Sequence, residues 1–253
     1  MSPPIGGPGH QPDGGAGGEQ PPAVADRVTA AGVTAETEAG PTEWQVGTEV
    51  GVGPWPGGPS AWPDDAQYDR QLLADGDRRN VVDRYRYWRR EAIVADLDTR
   101  RHPFHVAIEN LGYDYNIGTI VRTANAFAAA AVHIVGRRRW NRRGAMVTDR
   151  YQHLHHHDAV AGLVDFAAGA GLSIIGVDNL PGSVPLETAR LPAKALLLFG
   201  SESEGLSAPA VAGCAQLVHI SQYGSTRSIN AGVAAGIAMH AWIRQHAEPA
   251  DGR

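Results

Sequence analysis

The period of apolar and polar positions changes along this chain. From Phe104, the run FHVAIEN is short and almost continuously apolar, which predicts a buried strand. A small-residue helical pattern follows from about Asn116 to Ala130, and AVHIVG predicts the next strand. AVAGLVDFAAGAG reads as a helix, LSIIGVD as a strand, and ALLLFG as a strand apolar on both faces. SAPAVAGC is a short helix, LVHI another strand, and SINAGVAAGIAMHAWIRQHA a long last helix. Strands alternating with helices predict an α/β domain with a mainly parallel sheet. Between the second strand and His157 the pattern lapses into a polar, basic loop that includes HLHHH. No internal repeat is visible.

Upstream of Phe104 the pattern is different. Residues 1–65 are rich in Gly, Pro, Ala and acids, a composition that cannot bury enough surface to offset ordering entropy and predicts a disordered leader. Trp44, Trp55 and Trp62 are unusual in such a stretch and would also suit a short docking segment. Residues 66–102 are Arg- and Tyr-rich and predict a helical extension, interrupted near Gly76 and ended by Pro103. The α/β domain is expected over 103–247, with a tail at 248–253.

Charge changes the picture once it is divided. The chain of 253 residues carries a net −5. Residues 1–65 hold nine acids and one base, whereas 101–253 hold eleven acids and thirteen bases, so the acidity belongs to the leader. Nearly every base is Arg, Lys194 being the sole lysine; base composition of the genome explains this as readily as phosphate binding does. The single cysteine, Cys214, excludes an internal disulfide and fits a reducing compartment. The N-terminus lacks the basic and apolar regions of a secretory signal, and no apolar run approaches the ~20 residues of a membrane span. A cytoplasmic location is expected.

Three segments join a strand end to a polar or Gly-rich turn and then a helix, the place where ligands sit in open α/β sheets. In ENLGYDYNIGTIVRTANAF, Gly118 and Arg122 share roughly one helical face, with Asn116 at the helix start. A helix cap and a surface arginine would look the same. In LLLFGSESEGLS a buried strand ends at Gly200, Glu202 supplies an acceptor, and Gly205 precedes a helix capped by Ser207; a capped turn explains this nearly as well. No Gly-Lys-Ser/Thr follows, so it is not a P-loop. In HISQYGSTRSINAGVAAG, the polar Ser225, Thr226, Ser228 and Asn230 crowd the entry to a small-residue helix.

Order and spacing together are more specific than any one segment. They resemble the three motifs of the SpoU (TrmH-like) branch of the SPOUT RNA methyltransferases, over about Phe104 to Ala247. Asn116, Gly118 and Arg122 match the first motif. Gly200, Glu202, Gly205, Leu206 and Ser207 match the second in full. Ile220, Gly224, Ser228 and Asn230 match the third, with Ile229 in place of the usual Leu and Ser221-Gln222 in place of Pro-Met. The resemblance implies a SPOUT α/β-knot, with a parallel sheet whose C-terminal part is threaded as a trefoil knot. It implies S-adenosyl-L-methionine as cofactor, contacted at Gly200, Gly205, Ile220 and Ile229. It also implies a homodimer and methylation of a ribose 2′-hydroxyl in tRNA or rRNA. Arg122, Asn116, Glu202, Ser228 and Asn230 would be the catalytic set. A non-catalytic RNA-binding relative and a base-directed SPOUT methyltransferase are the alternatives.

Two further stretches bear on RNA. Arg137, Arg138, Arg139, Arg142 and Arg143 surround Trp140, a composition suited to phosphates and a stacked base as well as to a solvated loop. Adjacent histidines in His153–His157 cannot easily converge on one ion, so no metal is expected there and a polar loop is preferred. Gly232, Ala235, Gly236 and Met239 recur at three-to-four spacing in the last helix, a small-residue face suited to packing on a symmetry mate.

Overall fold

The computed structural model describes residues 51–110, 116–201 and 204–249. The strands are β1 (His102–Asn110), β2 (Ala129–Gly136), β3 (Leu154–His157), β4 (Ser173–Val177), β5 (Val184–Pro185), β6 (Ala195–Phe199) and β7 (Gln216–His219). They form one sheet in the order β3-β2-β1-β6-β4-β7-β5, parallel throughout. The helices are α1 (Arg70–Asp75), α2 (Arg90–Asp98), α3 (Asn116–Ala126), α4 (Val160–Ala170), α5 (Ala208–Gly213) and α6 (Ala231–His246).

Period-two alternation sorts each strand between two helical layers. From β1, Val106 and Ile108 enter a core with Ile117, Ile120 and Val121 of α3 and Ala235, Met239 and Trp242 of α6. On the other face, Ala107 joins Leu163 and Ala167 of α4 and Ala210 of α5. Every residue of β6 is buried, as expected of a central parallel strand covered on both faces. Helix α3 stops at Ala126, short of the expected end, because Ala128 takes a left-handed φ of 48°.

The HLHHH stretch is a correction. Leu154–His157 is an edge strand pairing with β2, not a loop. His155 and His157 share a face with His105 of β1 and His133 of β2. His133 Nε2 lies 2.9 Å from His105 Nδ1, and its Nδ1 lies 2.9 Å from His157 Nε2. The Phe166 ring of α4 tilts over His133 at 4.6 Å. Histidines read as polar in a pattern; here His133 is 0% exposed. Burial, then the neighbouring imidazoles, pushes His133 down to about 2; burial, then His155, pushes His105 down to about 4. His155 and His157 are lowered too, again chiefly by burial. Within this row the neutral His133 ring can donate through one nitrogen and accept through the other, so it is satisfied without charge.

The stretch from Gly51 to Asp65, placed in the leader by composition, makes specific contacts with the helical extension. Val52 bridges to Asp77, and the Trp55 ring meets Tyr68 and Tyr87 edge-on at 5.8 and 5.2 Å. Asp77 is fully buried and accepts from the Tyr87 N–H and from Nε and Nη2 of Arg79. Trp44 lies outside the described residues. The extension closes on the sheet through Tyr85, Ile93 and Tyr151, and Arg101 donates to the Tyr151 carbonyl and to Gln152 Oε1.

Candidate functional site

The three segments converge at the carboxyl edge of the sheet, each held there by identifiable contacts. At the first, Asn116 is the first residue of α3, and its Oδ1 accepts from Asn230 Nδ2 at 2.9 Å. Gly118, two residues on, faces inward. A Cβ there would lie 2.7 Å from the Ala145 N and 2.8 Å from the Gly144 Cα, so only hydrogen lets the end of the basic loop cross α3. Arg122 has turned to the exposed side and makes no hydrogen bond or ion pair among the described residues. The helix therefore keeps one buried stripe and presents its guanidinium to solvent.

The second segment is a tight turn. Ser201 and Gly205 exchange backbone hydrogen bonds at 3.1 and 2.9 Å. A Cβ on Gly200 would lie 1.9 Å from the Gly205 carbonyl carbon, and Gly205 itself has φ +69°. Two carboxylates that pattern reading missed pin this turn. Glu109, at the end of β1 and 1% exposed, accepts from the Ser207 N–H at 2.8 Å and its Oγ at 2.6 Å. Asp178, after β4, accepts from the Leu206 N–H at 2.8 Å. Both acids stand where a strand ends, a position at the carboxyl edge that was the available signal. Ser207 also caps α5, accepting from the Ala210 N–H. Glu202 lies outside the described residues.

The third segment leaves β7 at Ile220, half-buried against the core. Ser221 then donates from N and Oγ to the Glu187 carboxylate at 3.0 and 3.1 Å. Hydrogen bonds from its own backbone N–H and from Ser221 hold Glu187 below the usual carboxylate range. Residues 223–228 are exposed, Ser228 among them, and Ile229 is half-buried. Asn230 caps α6, its Oδ1 accepting from the Val233 N–H at 3.2 Å while its Nδ2 reaches Asn116. The site thus assembles Asn116, Gly118 and Asn230, sets Gly200 and Gly205 on the adjoining strand end, and leaves Arg122 and Ser228 facing solvent.

The basic loop adjoins the site through the Gly118–Gly144 crossing. Asn110, 1% exposed, holds it from below, donating to the Arg137 and Arg139 carbonyls at 2.6 and 3.0 Å. Arg137, Arg138, Arg139, Arg142 and Arg143 are exposed. Trp140 is not a free platform; it is half-buried against the core, with the Arg142 guanidinium 5.5 Å above its ring.

The small-residue face of α6 is a second correction. Gly232, Ala235 and Met239 are buried within this chain, and Gly232 lies against Thr119 and Asn116 of α3. Small side chains there permit the α3–α6 approach. The outward face carries Val233 and Ile237 instead. Burial pushes the Cys214 thiol up to about 11, so it stays protonated. Among the described residues no helix is long and apolar enough to cross a membrane, and no cluster of His, Cys, Asp or Glu is placed to hold a metal ion.

This combination of a wholly parallel sheet and three strand-end turns is the architecture of the TrmH/SpoU methyltransferases. It aligns with the Aquifex enzyme described as "A. aeolicus TrmH/SpoU tRNA modifying enzyme" at TM-score 0.55 and 23% identity, covering 62% of this chain and 81% of that one. The SpoU methyltransferase AviRb from Streptomyces viridochromogenes, solved with AdoMet, aligns at TM-score 0.52 and 25% identity, covering 59% and 63%. The SpoU rRNA Methylase family model matches residues 103–240, and the chain belongs to that family. A tRNA/rRNA methyltransferase of Mycolicibacterium smegmatis, described as uncharacterized, is 34% identical over 147 residues, 55% of this chain and 46% of that protein. The tRNA (guanosine(18)-2′-O)-methyltransferase of Borreliella burgdorferi is 26% identical over 150 residues, covering 58% and 69%. The chain spans about half the length of the mycobacterial relative.

Proposed function

We propose that this chain transfers a methyl group from S-adenosyl-L-methionine to a ribose 2′-hydroxyl of tRNA or rRNA. The observation that carries this reading is the joining of the first and third motifs through Asn116 and Asn230 beside an exposed Arg122. The guanosine-18 enzyme among the relatives supports ribose as the target.

The residues present fit the cofactor. The space a side chain would need at Gly200 and Gly205 is taken by the turn's own backbone and by Asp178 Oδ2, which keeps the turn compact, and Ile220 and Ile229 offer apolar flanks. Two buried polar atoms there, Ser201 Oγ and Gln222 Oε1, have no hydrogen-bond partner, which a buried group tolerates poorly. Ser201 Oγ suits an acceptor and Gln222 Oε1 an amino group. When bound, the sulfonium supplies an electrophilic methyl group.

The chain's own part is positioning and charge. A ribose hydroxyl is a weak nucleophile until its developing negative charge is stabilised. A guanidinium offers donors and no acceptor, so Arg122 grips the neighbouring phosphate and the nascent alkoxide rather than acting as a base, and the hydroxyl proton passes to solvent water. Asn116, Ser228 and Asn230 orient Arg122 and the ribose, and Glu202 completes the catalytic set of this reading. Correct placement alone supplies several kcal/mol, up to about 7–11 in ideal cases. The basic loop holds flanking phosphates. The trefoil knot and a two-fold dimer are part of this reading, with Val233 and Ile237 as the apolar contact between copies, and the cytoplasm as the compartment where such RNA is found.

The test is transfer of labelled methyl from S-adenosyl-L-methionine to total RNA, followed by nuclease digestion and mapping. Label on a 2′-oxygen is expected. Label on a base, or RNA binding without transfer, would overturn the reading.

A further inference from the structure

Tyr223 is 96% exposed, far more than any other large apolar or aromatic side chain among the described residues. It stands in the third-motif loop between Ile220 and Ser228. Its neighbours Gly224, Ser225, Thr226 and Arg227 are exposed as well, so the ring belongs to no apolar patch. Val233 and Ile237, by contrast, lie together on the outward face of α6, where a second copy would cover them. The Tyr223 ring contributes nothing to the fold, because a ring in water buries no area.

Its presentation is nevertheless controlled. Two residues before it, Ser221 is fixed to Glu187 through both N–H and Oγ, and Gln222 is half-buried. The loop therefore leaves the sheet on a held stem and offers a flat aromatic face at the rim of the site. Arg227, four residues on, is exposed and makes no hydrogen bond or ion pair among the described residues. An aromatic face plus an unpaired guanidinium is the pairing that binds single-stranded nucleic acid, one to a base and one to a phosphate.

Resting on the proposed activity, we propose that Tyr223 stacks on a nucleobase next to the methylated nucleotide, with Arg227 on an adjacent phosphate, and that this stack selects an unpaired stretch of RNA. A base inside a duplex has both faces covered, so the ring can engage only a base that is splayed out.

The test compares wild type with Tyr223→Ala, Tyr223→Phe and Tyr223→Trp in the full chain, using total RNA as substrate and labelled S-adenosyl-L-methionine. Tyr223→Ala is expected to raise the KM for RNA by about 5- to 100-fold, the loss of one base–aromatic stack, with kcat nearly kept. Phe and Trp should restore binding, since either offers a π face. Cofactor affinity by calorimetry and sedimentation should not change in any variant. An unchanged KM in Tyr223→Ala, a loss that Trp fails to restore, or a shift in sedimentation that marks Tyr223 as a contact between copies would overturn the proposal. If the wild type transfers no methyl group, the enzymatic reading fails separately, and RNA dissociation constants of the same variants still decide the stacking role.

Discussion

Asn230 donates from Nδ2 to Asn116 Oδ1 at 2.9 Å, joining positions 114 apart in sequence. The same Asn230 caps α6 through its Oδ1. One side chain thus serves a local and a long-range role, which substitution can separate. Asn230→Asp keeps the capping oxygen and loses the donor. Asn230→Ala loses both and should cost about 1–2 kcal/mol in urea unfolding. Asp should recover most of that stability but not the methyl-transfer rate. Equal activity in the Asp variant and wild type would show that the Asn–Asn link has no part in turnover.

Gly200→Ala should be among the most damaging single changes. Its Cβ would stand 1.9 Å from a backbone carbonyl carbon of the facing turn, with no flexible side chain to give way. Strain of this kind places it in the severe class, above roughly 3 kcal/mol. Calorimetry should find no S-adenosyl-L-methionine binding in whatever folded protein is recovered. Normal affinity would mean that the turn can open without cost.

Arg122→Ala is expected to abolish turnover while leaving cofactor affinity and thermal stability nearly unchanged. Its side chain is exposed and makes no hydrogen bond or ion pair that holds the fold among the described residues. Surface changes of this type usually fall within about 0.5 kcal/mol. Lost cofactor binding would place the guanidinium on the wrong side of the site.

Replacing Arg138, Arg139, Arg142 and Arg143 by Ala should weaken RNA binding and flatten its salt dependence. Every phosphate that the loop no longer neutralises takes about 0.7–0.9 from the slope of log K against log salt, so four lost contacts lower it by about three. Asn110 grips the loop by backbone carbonyls, so the loop should keep its path. An unchanged slope would assign RNA binding to another surface.

Acid should destabilise the protein through its imidazoles. His105 is depressed to about 4 and His133 to about 2, both below an ordinary histidine near 6.5. The unfolded chain therefore binds more protons in this interval, and stability rises with pH. The contribution is complete above about pH 6.5 and is lost as pH falls toward 4. Urea midpoints measured at pH 7.5, 6 and 5 should fall in sequence, by less in His105→Gln, which cannot charge. A wild-type midpoint that holds steady across this range would contradict the buried neutral chain.

The sequence made the sheet and its helices legible because apolar runs such as ALLLF are buried on both faces and Gly200 and Gly205 punctuate a strand end. It concealed β3, because histidine reads as polar whether or not partners neutralise it. It concealed Glu109 and Asp178 for a related reason: a carboxylate at a strand end looks like a solvated one until the N–H groups of Ser207 and Leu206 are found on it. The small residues of α6 were visible as a face, but spacing alone does not say whether α3 or a second copy fills it. Helical patterning exposed the extension and Trp55 stood out as a docking candidate, whereas Val52 was lost in the glycine and proline around it.

The docking of the extension bears on the order in which the protein is made. When Arg101 has just emerged from the ribosome, α1 and α2 are already out but Tyr151, which packs with Tyr85 and Ile93, is still to be synthesised. The carbonyl that Arg101 reaches on Tyr151 lies 50 positions further along. At the ribosome's pace of about 5–20 residues per second, the extension waits for seconds before its last apolar partner arrives. Its core closes when the strand β2 and the basic loop after it are already out. A segment that looks like an appendage is therefore completed by the domain it precedes, and the nascent chain secures the stem of its basic loop in the same step.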